Sequence, residues 1–316
     1  MTVDVFVCTR NRSSALRNTL RSILRNSRHN IDVNVHVCDN GSHDDTKCVL
    51  QDVEFSQVHK FEEPSPGKSR CLNKMIAAST GEYLLFTDDD VVVPPDWIQL
   101  MVSRAVSSNS DAIVGGVDIA DEVIPSRWTD QHLAYFASTR HVASNYDHPF
   151  IGANYMVTRN AFNLVGGFNP LVGPGGIGHA EDTLFWLQCR KLQVKIIQAR
   201  DIRVLHYPDV KRMNDAGIIA LARKQGEFEA YVDYHWEQYV RSHFFLSYFV
   251  RLVRLMMSKA AYSVAKSDPA SVLSYAISVR KYYSTVYYMQ YLLNRMHYSV
   301  RQGTHQDFCG DGAVSR

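Results

Sequence analysis

The chain has 316 residues, 46% of them hydrophobic, and 34 Lys and Arg against 32 Asp and Glu, a net charge of +2. At roughly 150 residues per domain that is about two structural units or one large one, and this composition excludes a wholly disordered or collagen-like chain. The near-balance of charge gives no support to nucleic-acid binding, although residues 1–206 carry 20 basic and 23 acidic side chains while 207–316 carry 14 and 9.

A β-branched run over 3–8 predicts a first strand that stops at Thr9-Arg10-Asn11-Arg12. Leu16, Leu20, Ile23 and Leu24 then recur at helical spacing, and a second strand over 33–38 ends in Asp39-Asn40-Gly41-Ser42. Strand, loop, helix, strand is a βαβ unit with parallel strands and a right-handed crossover. Ligands of such open sheets bind beyond the carboxyl ends of the strands, so the loops at 9–12 and 39–45 are the first places to expect a site.

After Pro66-Gly67-Lys68-Ser69 a short amphipathic helix uses Leu72, Met75 and Ile76, and Gly81 closes it. A buried strand over 82–86 then stops at Thr87-Asp88-Asp89-Asp90. Three adjacent carboxylates at a strand end repel one another. The triplet reads either as a solvated acidic turn or as a site for a hard cation such as Mg²⁺ or Mn²⁺, which relieves the repulsion. A helix over 96–105 and a strand over 112–117 follow, and 118–149 reads as a long insertion beside the site. A strand over 152–158 begins with Gly152-Ala153-Asn154, and a helix over 159–165 ends at Gly166-Gly167-Phe168. The glycine loop from Gly173 to Gly178 opens through Glu181-Asp182 into another helix. Two short strands are expected at 195–197 and 202–205, the second ending in His206. Beyond Ala216 the pattern is helical and rich in aromatics, and the tail after Gln302 reads as disordered.

The six cysteines have no CxxC pairing, and Cys8 and Cys38 sit in apolar strand runs, so reduced thiols of a cytosolic protein are expected. The start of the chain lacks a signal-peptide layout, and no apolar run reaches the ~18 residues of a membrane span. No HExxH, GxSxG, GxxxxGK[ST] or strand-to-helix GxGxxG is present, which counts against zinc hydrolases, serine hydrolases, P-loop enzymes and dinucleotide oxidoreductases.

Taken together and in order, Val7-Cys8-Thr9-Arg10-Asn11-Arg12, Val37-Cys38-Asp39-Asn40-Gly41-Ser42, the run from Gly81 to Asp90, Gly152-Ala153-Asn154, Gly166-Gly167-Phe168 and Glu181-Asp182 resemble a family 2 glycosyltransferase over roughly residues 1–208. The resemblance implies an α/β fold of GT-A (Rossmann-like) type, a mostly parallel sheet flanked by helices. Its nucleotide half is expected at about 1–117 and its acceptor half at about 118–208, with a helical extension over 209–302 and a disordered tail over 303–316. The implied activity is inverting transfer of a sugar from a nucleotide diphosphate donor, UDP-linked, to a hydroxyl of a glycan or lipid-linked acceptor in polysaccharide or cell-envelope biosynthesis. The rivals are a non-catalytic nucleotide-sugar or glycan binder and a sugar nucleotidyltransferase. The nucleotidyltransferase is disfavoured because Thr9 to Arg12 lacks the glycine-rich loop such enzymes carry.

By the same resemblance, Asp90 is the first metal ligand for Mn²⁺ or Mg²⁺. Asp88 is a second ligand or faces the ribose or sugar, and Asp89 is a strut bonded to nearby backbone. His206 is either a further metal ligand or a packing residue. Asp39 either accepts from the base or forms an Asx turn with Ser42. Thr9, Arg10, Asn11 and Arg12 line the nucleotide pocket, and Lys68 either reaches the diphosphate or is a solvated loop lysine. Gly152, Asn154 and Glu181 are expected on the acceptor side. Asp182 is the catalytic base, kept ionised by a helix N-terminus, with a plain helix cap as the alternative. The donor sugar, the acceptor and the oligomeric state have no readable code.

Residues 238–267 contain five basic and no acidic side chains among many apolar ones. They read either as a helix packed on the α/β core with a basic outer edge, or as an interfacial helix on an anionic membrane, with Arg251 and Arg254 on one face. Peripheral attachment to the inner face of the plasma membrane is the corresponding location.

Overall fold

The computed structural model describes residues 1–27, 30–143, 146–237, 244–266 and 268–293. The expected disordered tail, Cys309 and Arg241 lie outside the described residues. The first half runs β1 (Thr2–Thr9), α1 (Ser13–Leu24), β2 (Asp32–Asp39), α2 (Thr46–Gln51), β3 (His59–Glu62), α3 (Lys68–Ala77), β4 (Tyr83–Asp88), β5 (Val91–Val92), α4 (Trp97–Ser108) and β6 (Ala112–Ile119). The second half adds α5 (Asp130–Leu133), β7 (Tyr155–Thr158), α6 (Arg159–Val165), α7 (Glu181–Lys191) and β8 (Ile196–His206). Helices α8 (Asp215–Tyr231), α9 (Phe244–Val264) and α10 (Pro269–Leu293) follow.

The strands form one mixed sheet in the order β3-β2-β1-β4-β7-β6-β8-β5. β3, β2, β1 and β4 are mutually parallel, β7 is antiparallel to both its neighbours, and β8 runs parallel to β6. Val3, Val5 and Val7 of β1 pack with Leu16, Leu20 and Ile23 of α1 on one sheet face, while Phe6, Leu84 and Phe86 pack with Leu72 and Met75 of α3 on the other. This two-sided burial is why β1 and β4 read as nearly continuous apolar runs. Asp4 is the exception in β1. Although burial opposes its charge, His36 beside it and hydrogen bonds from Asn34 and the Gly81 N–H hold its carboxyl down at about 2.

Several elements differ from the sequence reading. β3 is short, with three polar residues of four, and carries no periodic signal, and β5 is a two-residue edge pair with β8. The two strands expected at 195–197 and 202–205 are the single strand β8. Its register against β6 jumps between Gly115 and Gly116, where Ala199 and Arg203 are the successive partners. Arg200, Asp201 and Ile202 bulge out, and the polar pair Arg200-Asp201 in that bulge gave the appearance of a break. The 118–149 insertion does flank the cleft, as α5 and two 3₁₀ turns.

The helical extension does not stand apart. Ile119, Trp128, Leu133 and Phe136 share a buried cluster with Ile218 and Ala222 of α8 and Val272, Ala276 and Val279 of α10. Val172 and Leu184 share another with Phe228 and Tyr231. Arg251, expected beside Arg254 on one face of α9, points inward instead and donates to the Lys281 carbonyl and the Thr285 hydroxyl on α10.

Candidate active site

A cleft of about 1710 Å³ opens beyond the carboxyl ends of β1 and β4 and is walled by the insertion, the glycine loop, α7, α8 and α10. The strand-end loops place Thr9, Arg10, Arg12, Asp88, Asp89 and Asp90 on it, and α3 contributes Lys68 at its first turn.

The acidic triplet divides into three environments. Asp89 is buried and accepts from the Thr9 hydroxyl at 2.7 Å and from Arg12 at 2.8 Å. It is a strut, but bonded to side chains rather than backbone. Burial, against the pull of Arg12, lifts its carboxyl to about 6. Asp90 also takes Arg12, at 2.7 Å on Oδ2. Burial alone would push Asp90 up, yet His206 and Arg12 hold it below the ordinary carboxylate range. Arg12, despite its burial, is raised by the two aspartates. It bridges Asp89 and Asp90. Asp88, expected either as a second metal ligand or facing the ribose or sugar, is paired with Lys68 at 2.6 Å. Lys68 spans to Glu181 at 3.0 Å, so it is an internal counter-ion and not a solvated loop lysine. Burial opposes its charge, but Asp88, Glu181 and Asp182 lift its pKa well above the usual lysine range.

The donor set for a divalent cation can be tested on Asp90 and His206. The Oδ1 atom of Asp90 is buried with no hydrogen-bond partner. His206 Nε2 lies 3.2 Å from it, while Nδ1 lies 3.0 Å from the Phe136 carbonyl. A proton on Nδ1 satisfies that carbonyl and turns the Nε2 lone pair toward Asp90, an arrangement that wants a proton or a metal ion between the two. A carboxylate with an imidazole suits Mn²⁺ as well as Mg²⁺. Among the described residues no three such side chains converge to hold a metal by themselves. The pair therefore fits an ion that completes its shell with phosphate oxygens and water.

Asp182 opens α7. Its Oδ2 accepts the Gly152 N–H and its Oδ1 the Thr183 N–H, each at 2.6 Å. Burial and the neighbouring Glu181 raise its carboxyl to about 7, overriding Lys68 and the two backbone donors. The helix N-terminus thus holds the group in place without keeping it strongly acidic. Gly152 touches both halves of the site. A Cβ there would lie 2.6 Å from Lys68 Nζ and 3.3 Å from Asp88 Oδ1. Glu181 lies beneath, buried, with Oε2 unpartnered.

Three expected site residues are not among the side chains that line the cleft. Asn154 is fully buried and does not reach the cleft. Its amide donates to the carbonyls of Gly116 and Ile202 and accepts from Trp97 Nε1, filling the β8 bulge. Asn11 ties two loops together, donating its N–H to Ser42 and accepting the His43 N–H. Asp39 accepts the Ser42 N–H at 2.9 Å, the Asx-turn geometry. Sequence reasoning passed over its neighbour Asn40, which lines the cleft, donates to the carbonyls of Glu63 and Ser65, and accepts the Gly67 N–H ahead of α3. An asparagine among strand-end residues was the available signal. It also missed Lys224, Arg280 and Lys281, which reach the cleft from α8 and α10 with no local motif.

The model of the family described as glycosyl transferase family 2 matches residues 4–166. The succinoglycan biosynthesis protein ExoM of Rhizobium meliloti (strain 1021) is 28% identical over 193 residues, 58% of this chain and 60% of that protein. The chain therefore spans about 60% of the length of this curated relative. Among solved structures, the mannosyltransferase PcManGT from Pyrobaculum calidifontis, in complex with GDP-Man and Mn²⁺, superposes with a TM-score of 0.58 at 18% identity, over 88% of this chain and 86% of that one. S. aureus TarS 1–349 in complex with UDP-GlcNAc gives a TM-score of 0.52 at 15% identity, over 93% and 92%. At these identities the two structures establish the GT-A type fold.

Proposed function

The chain belongs to glycosyl transferase family 2 and is a glycosyltransferase, and from that premise we propose that it transfers a sugar from a UDP-linked donor to a hydroxyl of a glycan or lipid-linked saccharide with inversion at the anomeric carbon. The observation that carries this reading is Asp182, a carboxyl fixed on both oxygens by backbone N–H groups and poised at about 7, separated by Gly152 from the acidic triplet. A base near neutrality takes the proton from an attacking hydroxyl most effectively, and inversion needs it opposite the leaving diphosphate.

In this reading Asp90 and His206 would hold the divalent ion, which when bound stabilises the charge developing on the diphosphate. Arg12 keeps Asp89 and Asp90 ionised and oriented. Lys68 fixes Asp88 toward the donor and Glu181 beneath the acceptor. Lys224 and Arg280, paired with Glu227 and Glu229, and Lys281 would line the acceptor side. The ExoM relative is a succinoglycan biosynthesis protein, which supports a polysaccharide precursor as the acceptor class.

The test is a panel of nucleotide sugars with Mn²⁺, read by thermal shift and by nucleoside diphosphate release. UDP-sugars should raise the melting temperature through mass action more than GDP-sugars do. Asp90→Asn should keep the fold, lose the Mn²⁺-dependent shift and lose turnover. Full turnover of Asp90→Asn in EDTA would remove the metal assignment.

A further inference from the structure

Helix α9 has two unlike faces. On the inner face Tyr248, Arg251, Leu255 and Tyr262 recur at helical spacing. Arg251 bonds Thr285 at 2.6 Å, the Tyr248 and Tyr282 hydroxyls lie 3.3 Å apart, Tyr262 donates to Asp215 at 3.1 Å, and Leu255 joins the cluster shared with α8 and α10. On the outer face Leu246, Phe249, Val253, Met256 and Met257 are each 54–67% exposed. Scattered exposed apolar residues need no explanation, but a stripe at i, i+3, i+7, i+10 and i+11 is a contact surface.

Basic residues flank this stripe. Arg254 on one side and Lys259 on the other are exposed and make no ion pair among the described residues, Lys266 follows the helix end, and α9 contains no acidic residue. A second copy laid against this stripe would bring like charges together along both edges. Among the described residues no helix, α9 included, is long and apolar enough to cross a membrane. An apolar stripe between basic edges fits the boundary of a bilayer that carries anionic lipid.

We infer that α9 is an interfacial helix that attaches this chain to an anionic membrane surface, with the Leu246–Met257 stripe in the acyl boundary and Arg254 and Lys259 at the headgroups. The attachment stands independently of the cleft chemistry. It has a consequence that does rest on the proposed acceptor: α10, on which α9 lies, sends Ile277, Arg280 and Lys281 into the cleft, so the bilayer would sit one helix away from where a lipid-linked saccharide enters.

Co-sedimentation of the full chain with vesicles tests this. Vesicles of equal parts phosphatidylglycerol and phosphatidylcholine should pellet at least about tenfold more protein at low salt than vesicles of phosphatidylcholine alone, and high salt should reverse it. Phe249→Glu plus Met256→Glu, and separately Arg254→Glu plus Lys259→Glu, should each cut the bound fraction about tenfold with an unchanged melting temperature. The salt and lipid dependence of the parent chain decides the matter even where a variant folds poorly. The inference is overturned if the parent stays in the supernatant with anionic vesicles, or if a folded Phe249→Glu plus Met256→Glu variant binds as the parent does. It is equally overturned if the parent is a dimer by light scattering that the same pair of substitutions splits, because the stripe is then covered by a second copy.

Discussion

At the scale of single residues, Asp182 shows burial winning over local hydrogen bonding. Two backbone donors and Lys68 favour its charged form, and still burial with Glu181 beside it holds the carboxyl at about 7. Below that pH the group takes up a proton and ceases to be a base, so turnover should fall on the acid side with an apparent pKa near 7. Asp182→Asn should lower turnover by at least ~10²-fold and abolish that acid limb, leaving nucleotide binding little changed. The linkage sign makes a second readout. A carboxyl raised in the folded state binds a proton more tightly there than in the unfolded chain. Stability is therefore full below the unfolded value of roughly 4 and is lost as pH climbs to about 7. Asp182→Asn removes that pH-dependent loss, so its stability by urea denaturation should change less between pH 5 and pH 8 than that of the parent. A variant that keeps both the acid limb and the parent's pH dependence of stability would show that another group titrates there.

At the scale of elements, the β8 bulge explains a residue that the motif placed on the acceptor side. Skipping Arg200 to Ile202 in the register leaves the Gly116 and Ile202 carbonyls without strand partners, and the Asn154 amide satisfies both while accepting from Trp97. Gly115 makes room for it, since a Cβ there would lie 2.1 Å from Asn154 Nδ2. Asn154→Ala would strand three buried polar groups, each costing ~1–3 kcal/mol, so a loss of at least about 3 kcal/mol is expected by denaturation. Folded Asn154→Ala should still bind donor. Unchanged stability with lost transfer would return Asn154 to the acceptor site.

At the scale of the whole molecule, the α/β part and the helical extension share buried clusters, so the extension completes the fold as well as the cleft. A chain cut after residue 208 would expose Ile119, Trp128, Leu133 and Phe136 together, an apolar patch that soluble monomers rarely tolerate. It should aggregate, or show molten-globule behaviour by dye binding and near-ultraviolet circular dichroism. A cut chain that is monomeric with a cooperative transition would show that 1–208 is an independent domain.

By itself the sequence determined the βαβ opening, the strand-end position of the acidic triplet and the helix start at Asp182, because each is a local pattern of period, turn and charge. It also determined the family, because motifs in register along the chain are a linear property. Only the tertiary structure decided which carboxylates meet which cations. Lys68 to Glu181, Arg12 to Asp90 and His206 to Asp90 are contacts between residues far apart in the chain, and their charges are set by shared burial that no spacing encodes. The same holds for α9: its composition was legible, but which side met α10 and which was left uncovered depended on packing against a helix that begins after it ends.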